Sequence, residues 1–198
     1  MGRFSRFDRL GRLSTEMSIT PGWTIYESPI GPLKLIAGPR GLTNIYFPGR
    51  APQLPEGERR PLREAVAQLD GYFAGERQAF ELDLDLRGNP LQTAVWRRLL
   101  EIPYGTTTTY GEVAGAVDES LYDPALEPYE RARVVGAAIG RNPVPVVVAC
   151  HRVIGADGSL TGYHGGLERK KLLLDLESGV VGERPPAYGS TDSQLALL

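Results

Sequence analysis

The sequence predicts an α+β fold in two parts: a small antiparallel β-sheet with one helix, then a mostly helical part that contains a helix-turn-helix. Residues 24–47 consist of strand-like runs separated by turn residues, whereas apolar residues recur at helical spacing beyond residue 88. Between these regions, Gly88–Asn89–Pro90 interrupts both patterns. The predicted divisions are a leader over 1–20, an N-terminal α/β domain over 21–87, a C-terminal domain over 88–178 and a mobile tail over 179–198.

Two strand-like runs open the first part. TIYESPIGPLKLIAG begins at Thr24 and turns at Pro29–Gly31, and GLTNIYF follows a second turn at Gly38–Gly41. A helix is predicted over residues 62–74, because apolar residues recur there every three or four positions. These residues are Leu62, Val66, Leu69 and Phe73. FELDLDL, residues 80–86, alternates apolar and acidic side chains with a period of two, which predicts a half-buried strand.

Three helices are predicted in the second part. The first covers residues 91–101 and is stopped by Pro103. Thr109 and Glu112 have the Thr-x-x-Glu spacing of a capping box that opens the second helix. The third covers residues 128–141. Two helices joined by a connection, the second with a basic face, predict a helix-turn-helix.

The third helix has two different faces. Ala132, Val135 and Ile139 lie at i, i+3 and i+7 and are expected to face the core. The opposite face combines small residues with guanidinium groups. Its members are Arg133, Ala137, Gly140 and Arg141. Such a face lets the helix backbone lie close against an anionic surface.

The connection between the second and third helices is long and acidic. It is loop-like from Val117 to Glu127, whereas the turn of a helix-turn-helix takes about 3–4 residues. Residues 115–130 include five acids and no Lys or Arg, and residues 131–152 include four arginines and no acid. Because an acidic segment is repelled by phosphates, we expect the insertion to project away from an anionic partner. The alternative is a passive surface insertion.

Composition excludes several classes of protein. The 198 residues are 41% hydrophobic and 23% charged, as in an ordinary globular protein, and no apolar run is long enough to span a membrane. A single cysteine forms no intrachain disulfide, which is typical of a reducing compartment and favours the cytoplasm. One cysteine and two histidines are too few for a structural zinc site, so we predict no metal and no cofactor. The net charge of −2 indicates no general affinity for nucleic acid.

The arginine-rich leader, residues 1–20, has two interpretations. It is either a basic arm that contacts phosphates or an upstream extension, disordered, of a protein whose native start is Met17.

Cys150 is followed directly by His151, and this pair also has two interpretations. A thiol attacks as its thiolate, and an imidazole oriented by a carboxylate can remove its proton. Neighbouring side chains of an extended segment point to opposite sides, so a bridging water or a turn would have to connect the two. Candidate carboxylates downstream are Asp157, Glu168, Asp175 and Glu177. Alternatively, Cys150 is a buried packing residue, as free cysteines often are.

Several motifs resemble those of the O6-alkylguanine-DNA alkyltransferases, over about residues 24–178. The most specific is RNPVPVVVACHRVIGADGSLTGYHGGLERKKLLLDLE, in which Asn-Pro-Val-Pro precedes Cys-His-Arg and Gly-Tyr-x-Gly-Gly follows it. YESPIGPLKLIAGPRGLTNIYF and LDGYFAGERQAFELDLDL resemble the opening sheet, helix and strand of that family. GNPLQTAVWRRLLEIPYGTTTTYGEVA resembles the run into its DNA-binding helices. The resemblance implies a ribonuclease-H-like N-terminal domain and a C-terminal domain with a helix-turn-helix.

The resemblance also implies DNA repair by direct reversal. Such a protein flips an alkylated guanine out of the duplex from the minor-groove side, because the O6 atom is inaccessible within the base stack. A cysteine then takes the alkyl group irreversibly, so each molecule acts once. The implied partner is double-stranded DNA that contains O6-alkylguanine, with O4-alkylthymine left open. We expect a monomer in solution and leave open whether neighbouring molecules make cooperative contacts on DNA.

Five residues carry the chemistry that the resemblance implies. Cys150 matches the alkyl acceptor, and His151 matches the general base that acts through a water molecule. Glu177 matches the carboxylate that orients this histidine. Asn142 matches a residue that braces the active-site turn, and Tyr110 a phenol that helps to rotate the lesion and protonate the departing guanine.

Five more residues match positions that contact DNA. Arg133 resembles the arginine that fills the vacated stack, on the helix face already described as basic. Ala137 and Gly140 would allow close approach to the minor groove, and Arg141 shares that face. Tyr163 resembles a wall of the base pocket.

Ala149 departs from the family pattern, which has proline before the cysteine. Alanine frees the φ angle and adds an N–H group. The change is either tolerated or leaves the thiol less preorganised and slower to react.

Three other classes of protein share some of these features. A non-enzymatic lesion-binding relative lacks the acceptor cysteine, so Cys150 argues against it. A cysteine hydrolase is supported by nothing beyond the Cys-His pair. A helix-turn-helix transcription factor would have no use for the Cys-His-Arg and Glu constellation.

Overall fold

The computed structural model of the protein describes residues 22–50 and 62–179. The predictions for the leader and most of the tail lie outside these residues. In the described ranges the predicted α+β architecture is confirmed, with a three-stranded antiparallel sheet followed by a helical region. No helix in the described ranges is long and apolar enough to cross a membrane.

The sheet has the order β1-β2-β3, with β1 at Gly22–Ser28, β2 at Gly31–Gly38 and β3 at Gly41–Tyr46. Both connections are the short turns predicted from Gly and Pro. Gly41 adopts φ +127°, and a Cβ there would lie 2.1 Å from the carbonyl oxygen of Asp83. Only glycine therefore allows the later segment to pass this close to β3.

The prediction of a regular strand over residues 80–86 is wrong. The segment makes a single parallel bridge, between Leu84 and Leu42, at the free edge of β3. The alternating pattern would place Asp85 towards solvent, but this side chain is buried and accepts hydrogen bonds from Arg40 and Arg87. The pair with Arg40 and two backbone hydrogen bonds with Leu42 hold the segment beside the sheet in place of a continuous ladder.

The helices are α1 at Arg63–Phe73, α2 at Pro90–Leu100, α3 at Tyr110–Gly115, α4 at Pro128–Ile139 and α5 at Leu167–Glu177. Two short strands, β4 at Thr108–Thr109 and β5 at Val153–Ile154, pair in parallel. The first four helices agree with the predictions, including the Thr109–Glu112 capping box. Helix α5 was not predicted, because it buries Lys170 and Glu177 beside Leu173 and so shows no apolar stripe.

One continuous hydrophobic core joins the sheet to the helices. Tyr72 of α1, Trp96 of α2 and Val135 of α4 are all fully or nearly fully buried in it. The indole Nε1 of Trp96 donates a hydrogen bond of 2.9 Å to the carbonyl oxygen of Ala138. This bond and the surrounding packing set α4 against α2 and leave the other face of α4 exposed.

The connection between α3 and α4 is long, as predicted, and contains a 3-10 turn at Glu119–Leu121. Arg131 of α4 pairs with Glu119 at 2.5 Å and lies over the ring of Tyr122. The hydroxyl of Tyr122 donates in turn to the carbonyl oxygen of Ala114 at 2.9 Å. The acidic insertion is therefore anchored to both helices of the motif.

Candidate active site

The cysteine is carried by a tight buried turn that follows α4. Asn142 bridges this turn: its Nδ2 donates to the carbonyl oxygen of Val148 at 2.7 Å, and its Oδ1 accepts from the amide of Val144 at 3.0 Å. Val146 has φ +76°, a conformation that costs a β-branched residue about 1–3 kcal/mol. The structure thus places Asn142 where it can hold a strained turn directly before Cys150.

Cys150, His151 and Arg152 form a 3-10 turn, which is one of the two connections considered from the sequence, a turn or a bridging water. All three side chains are buried. A 3-10 turn rotates successive side chains by about 120°, which removes the requirement that thiol and imidazole point to opposite sides.

The thiol of Cys150 is held in its neutral form. Burial raises its pKa to about 11, and the nearby Asn142 amide and Lys170 ammonium offset this only in part. Because a thiolate is the nucleophile, a proton has to leave Cys150 before or during any attack.

His151 is oriented by a carboxylate. Its Nε2 lies 2.8 Å from Oε1 of Glu177, and neither side chain is accessible to solvent beyond about 1%. Burial lowers the pKa of His151, so the ring is neutral, and an ionised carboxylate can only accept. The Nε2 atom must therefore carry the proton, which leaves the lone pair on Nδ1. This Nδ1 atom is buried and has no hydrogen-bond partner among the described residues, so it is free to accept a proton.

Glu177 accepts five hydrogen bonds from the described residues. His151 Nε2, Arg152 Nη2 at 2.8 Å and Tyr72 Oη at 2.7 Å donate to Oε1. Arg152 Nε at 2.8 Å and the amide of Gly105 at 3.2 Å donate to Oε2. Burial by itself would raise the pKa of Glu177, but the hydrogen bonds outweigh it and hold the pKa at about 2. The carboxylate is a fixed anion and not a proton acceptor.

The sequence predictions missed three members of this site. Arg152, Tyr72 and Lys170 are buried polar side chains that surround the thiol–imidazole–carboxylate group. Lys170 Nζ donates to the carbonyl oxygens of Val153 and Thr161 and ties the cysteine turn to the following loop. Arg152 could have been found from its place beside His151, whereas no nearby sequence motif indicated that Tyr72 lies in this site.

Tyr110 and Tyr163 border the same region. The hydroxyl of Tyr110 lies 3.4 Å from the carbonyl oxygen of Gly162, in the loop that carries Tyr163. The ring of Tyr163 packs edge-on against Phe47 at 5.7 Å, and its hydroxyl is buried without a partner among the described residues. A Cβ at Gly165 would lie 2.7 Å from the Tyr163 ring, so glycine is needed for this arrangement. An orphaned buried hydroxyl beside the cysteine is a ready hydrogen-bond partner for a ligand.

The exposed face of α4 is the one predicted to be small and basic. Arg133, Ala137, Gly140 and Arg141 are all exposed, while Val135 and Ile139 are buried. Of the predicted core residues, Ala132 is only partly buried.

The raised pKa of Cys150 predicts how the free protein reacts with a small electrophile. The thiolate fraction at pH 7 is on the order of 10⁻⁴, so alkylation by iodoacetamide should be slow and should rise about tenfold per pH unit up to pH 10. Glutathione, measured in parallel, should level off earlier. A protein rate that levels off below pH 9 would contradict the buried neutral thiol.

A second prediction concerns the replacement of Ala149 by proline. Its φ is −74°, which proline can adopt, and its N–H donates no hydrogen bond to another described residue. Ala149→Pro should therefore raise the free energy of unfolding by about 0.4–1 kcal/mol, because it restricts the unfolded chain. If Ala149 leaves the thiol less preorganised, the variant should also react faster in a single turnover. An equal or lower rate would reject that explanation.

A buried thiol, an imidazole with a free lone pair and a fixed carboxylate define a protein with a cysteine nucleophile, here combined with a helix whose exposed face is small and basic. Comparison with known families identifies the family to which the chain belongs. Residues 22–86 match the family described as 6-O-methylguanine DNA methyltransferase, ribonuclease-like domain, and residues 90–179 match its DNA binding domain. The chain belongs to this family of methylated-DNA–protein-cysteine methyltransferases.

Individual relatives agree with this assignment. The chain is 49% identical over 157 residues to the methylated-DNA–protein-cysteine methyltransferase of Mycobacterium leprae, which covers 76% of this chain and 88% of the relative. A relative of that name from Methanosarcina acetivorans is 43% identical and covers 78% and 97%. Among solved structures, Mycobacterium tuberculosis OGT in complex with DNA matches with a TM-score of 0.70 and 45% identity, over 80% of this chain and 93% of that chain.

Proposed function

We propose that this protein repairs O6-alkylguanine in duplex DNA by moving the alkyl group to Cys150, once per molecule. The observation that carries the proposal is the buried Cys150 thiol next to a His151 ring whose Nε2 is fixed by Glu177 and whose Nδ1 is free. The family relationship supports the same chemistry, since the relatives are methylated-DNA–protein-cysteine methyltransferases.

The proposed reaction is an in-line displacement. The thiol proton of Cys150 passes through a water molecule to Nδ1 of His151, and Sγ attacks the carbon that is bonded to O6 of guanine. The C–O bond breaks, its electron pair stays on the guanine, and a proton from Tyr110 neutralises the departing base. The Tyr110 hydroxyl is then restored by the proton held on His151. The products are guanine and a thioether on Cys150.

The thioether explains why the reaction occurs only once. It is a stable product, and the sequence contains no second cysteine that could take the alkyl group away. We propose that Asn142 keeps the cysteine turn in place, as its two hydrogen bonds within that turn suggest.

DNA engagement is proposed for the exposed face of α4. Arg133 and Arg141 would neutralise phosphates or fill the vacated stack, and Ala137 and Gly140 would let the backbone approach the minor groove. Tyr163 would line the pocket of the flipped base. We propose a protein that is a monomer in solution and works in the cytoplasm.

Intact mass spectrometry tests the proposal. The protein is incubated with a duplex that contains one O6-methylguanine, with an otherwise identical guanine duplex as the control. A gain of one CH₂, located on Cys150 by peptide mapping, is expected only with the lesion. Tight binding to the lesion without any mass gain would instead identify an alkyltransferase-like lesion-binding protein.

A further inference from the structure

Tyr72 connects helix α1 to the active site over a long sequence distance. It lies 105 residues from Glu177 in the chain, yet its hydroxyl donates a hydrogen bond of 2.7 Å to Glu177 Oε1. Its ring is fully buried and packs against Phe80 and Tyr104 with centroids 5.2 and 6.1 Å apart. The oxygen that it contacts also accepts the N–H group of His151.

We propose that Tyr72 is a positioning residue for alkyl transfer, which holds Glu177 and thereby tunes the ring of His151. The inference rests on the proposed function, because His151 is the base in that reaction. Donors that share one oxygen compete for its electron density, so the Tyr72 hydrogen bond weakens the hydrogen bond between Glu177 and the imidazole N–H. The sheet-bearing part of the chain would thus set the strength of a base carried by the helical part.

Several charged or titratable groups act on His151 from the elements packed around it. They are Glu177 and Lys170 from α5 and Arg152 from its own turn. Tyr72 from α1, Tyr104 and Tyr163 interact in turn with Glu177. Burial lowers the pKa of His151 most, Glu177 raises it, and the two cations lower it further. Replacing Tyr72 by phenylalanine removes one hydroxyl from this set without changing any formal charge.

The test is the pH dependence of single-turnover transfer by Tyr72→Phe. Loss of the competing donor should raise the pKa of His151, which moves the acid limb of the rate profile to higher pH. We expect a rate about threefold below wild type on the acid limb and within about 1.5-fold on the plateau. A rate reduced by the same factor at every pH would mean a purely structural role and would overturn the inference.

Tyr104→Phe is the matched control. Tyr104 is also close to the end of α5, but its hydroxyl faces the carbonyl oxygen of Leu176 at 3.4 Å and not the carboxylate. It should leave the acid limb in place. A shift equal to that of Tyr72→Phe would show that any lost hydroxyl in this region suffices, and would overturn the specific role.

A second readout needs no DNA. The chain has two histidines, so NMR signals of the His151 ring can be assigned with a His164→Gln variant and titrated directly. We expect the Nε2-protonated form in both proteins and a higher pKa in Tyr72→Phe. A wild-type protein that gains no mass from the lesion overturns the proposed function. A wild type that transfers normally, while Tyr72→Phe shifts neither the rate profile nor the ring titration, overturns only the role of Tyr72.

Discussion

Replacing Glu177 with glutamine is expected to lower the free energy of unfolding by about 3–5 kcal/mol, because it leaves a buried guanidinium without its counter-charge. Arg152 donates to both carboxylate oxygens and is itself only 7% exposed. A glutamine of the same shape must point its NH₂ group at donors on one side or the other. Urea unfolding at pH 7 measures the difference, and transfer by the variant should fall at least about a hundredfold, because the His151 ring loses its anionic partner.

Asp175→Asn provides the control on the same helix. Asp175 forms a surface pair with Lys171 at 2.5 Å, with side chains 38% and 65% exposed, so its loss should change stability by less than about 0.5 kcal/mol. If the free energy of unfolding of Glu177→Gln lay within about 1 kcal/mol of the wild-type value, the hydrogen bonds that surround the carboxylate would not be needed for folding.

The same carboxylate links stability to pH. The pKa of Glu177 is about 2 in the folded protein, below the ordinary value of 4.5, so its contribution is complete above pH 4.5 and disappears as the pH falls through 2. Glu177→Gln should remove this part of the acid sensitivity, which unfolding curves between pH 5 and pH 2 would reveal as a shallower decline.

Cys150→Ala is expected to abolish alkyl transfer completely while duplex binding remains. No other thiol exists in the chain to take over, and the exposed face of α4 contains no part of the cysteine turn. Removing one buried sulfur should cost only about 1 kcal/mol of stability. Intact mass should stay unchanged after incubation with the lesion duplex, and fluorescence anisotropy should report an affinity close to that of wild type. A persistent mass gain would place the acceptor elsewhere.

Local sequence patterns predicted the elements whose polar side chains face solvent. The three strands, helices α1 to α4 and the exposed face of α4 follow from turn residues, capping and periodicity. The two failures share a cause. Asp85 in the predicted strand at 80–86, and Lys170 and Glu177 in α5, are charged side chains in the interior. Patterning assumes that charged side chains face water, so buried charged side chains defeat it.

The sequence by itself determined the reactive groups of this protein: a single thiol, an imidazole next to it, and a small set of carboxylates downstream. Residue spacing left four carboxylates open and the family resemblance named Glu177, whereas the tertiary structure shows which carboxylate contacts the imidazole. Asp157 accepts from Ser159 in an exposed turn, Glu168 is exposed and Asp175 pairs with Lys171, whereas Glu177 is buried.

The physical reason is the distance between partners along the chain. The donors that hold Glu177 are Arg152, His151, Gly105 and Tyr72, which lie from 25 to 105 residues away in sequence. The ionisation and orientation of a buried carboxylate depend on the sum of such contacts. Local patterns record only near neighbours, so they could identify the thiol and its base but not the buried donors that fix Glu177.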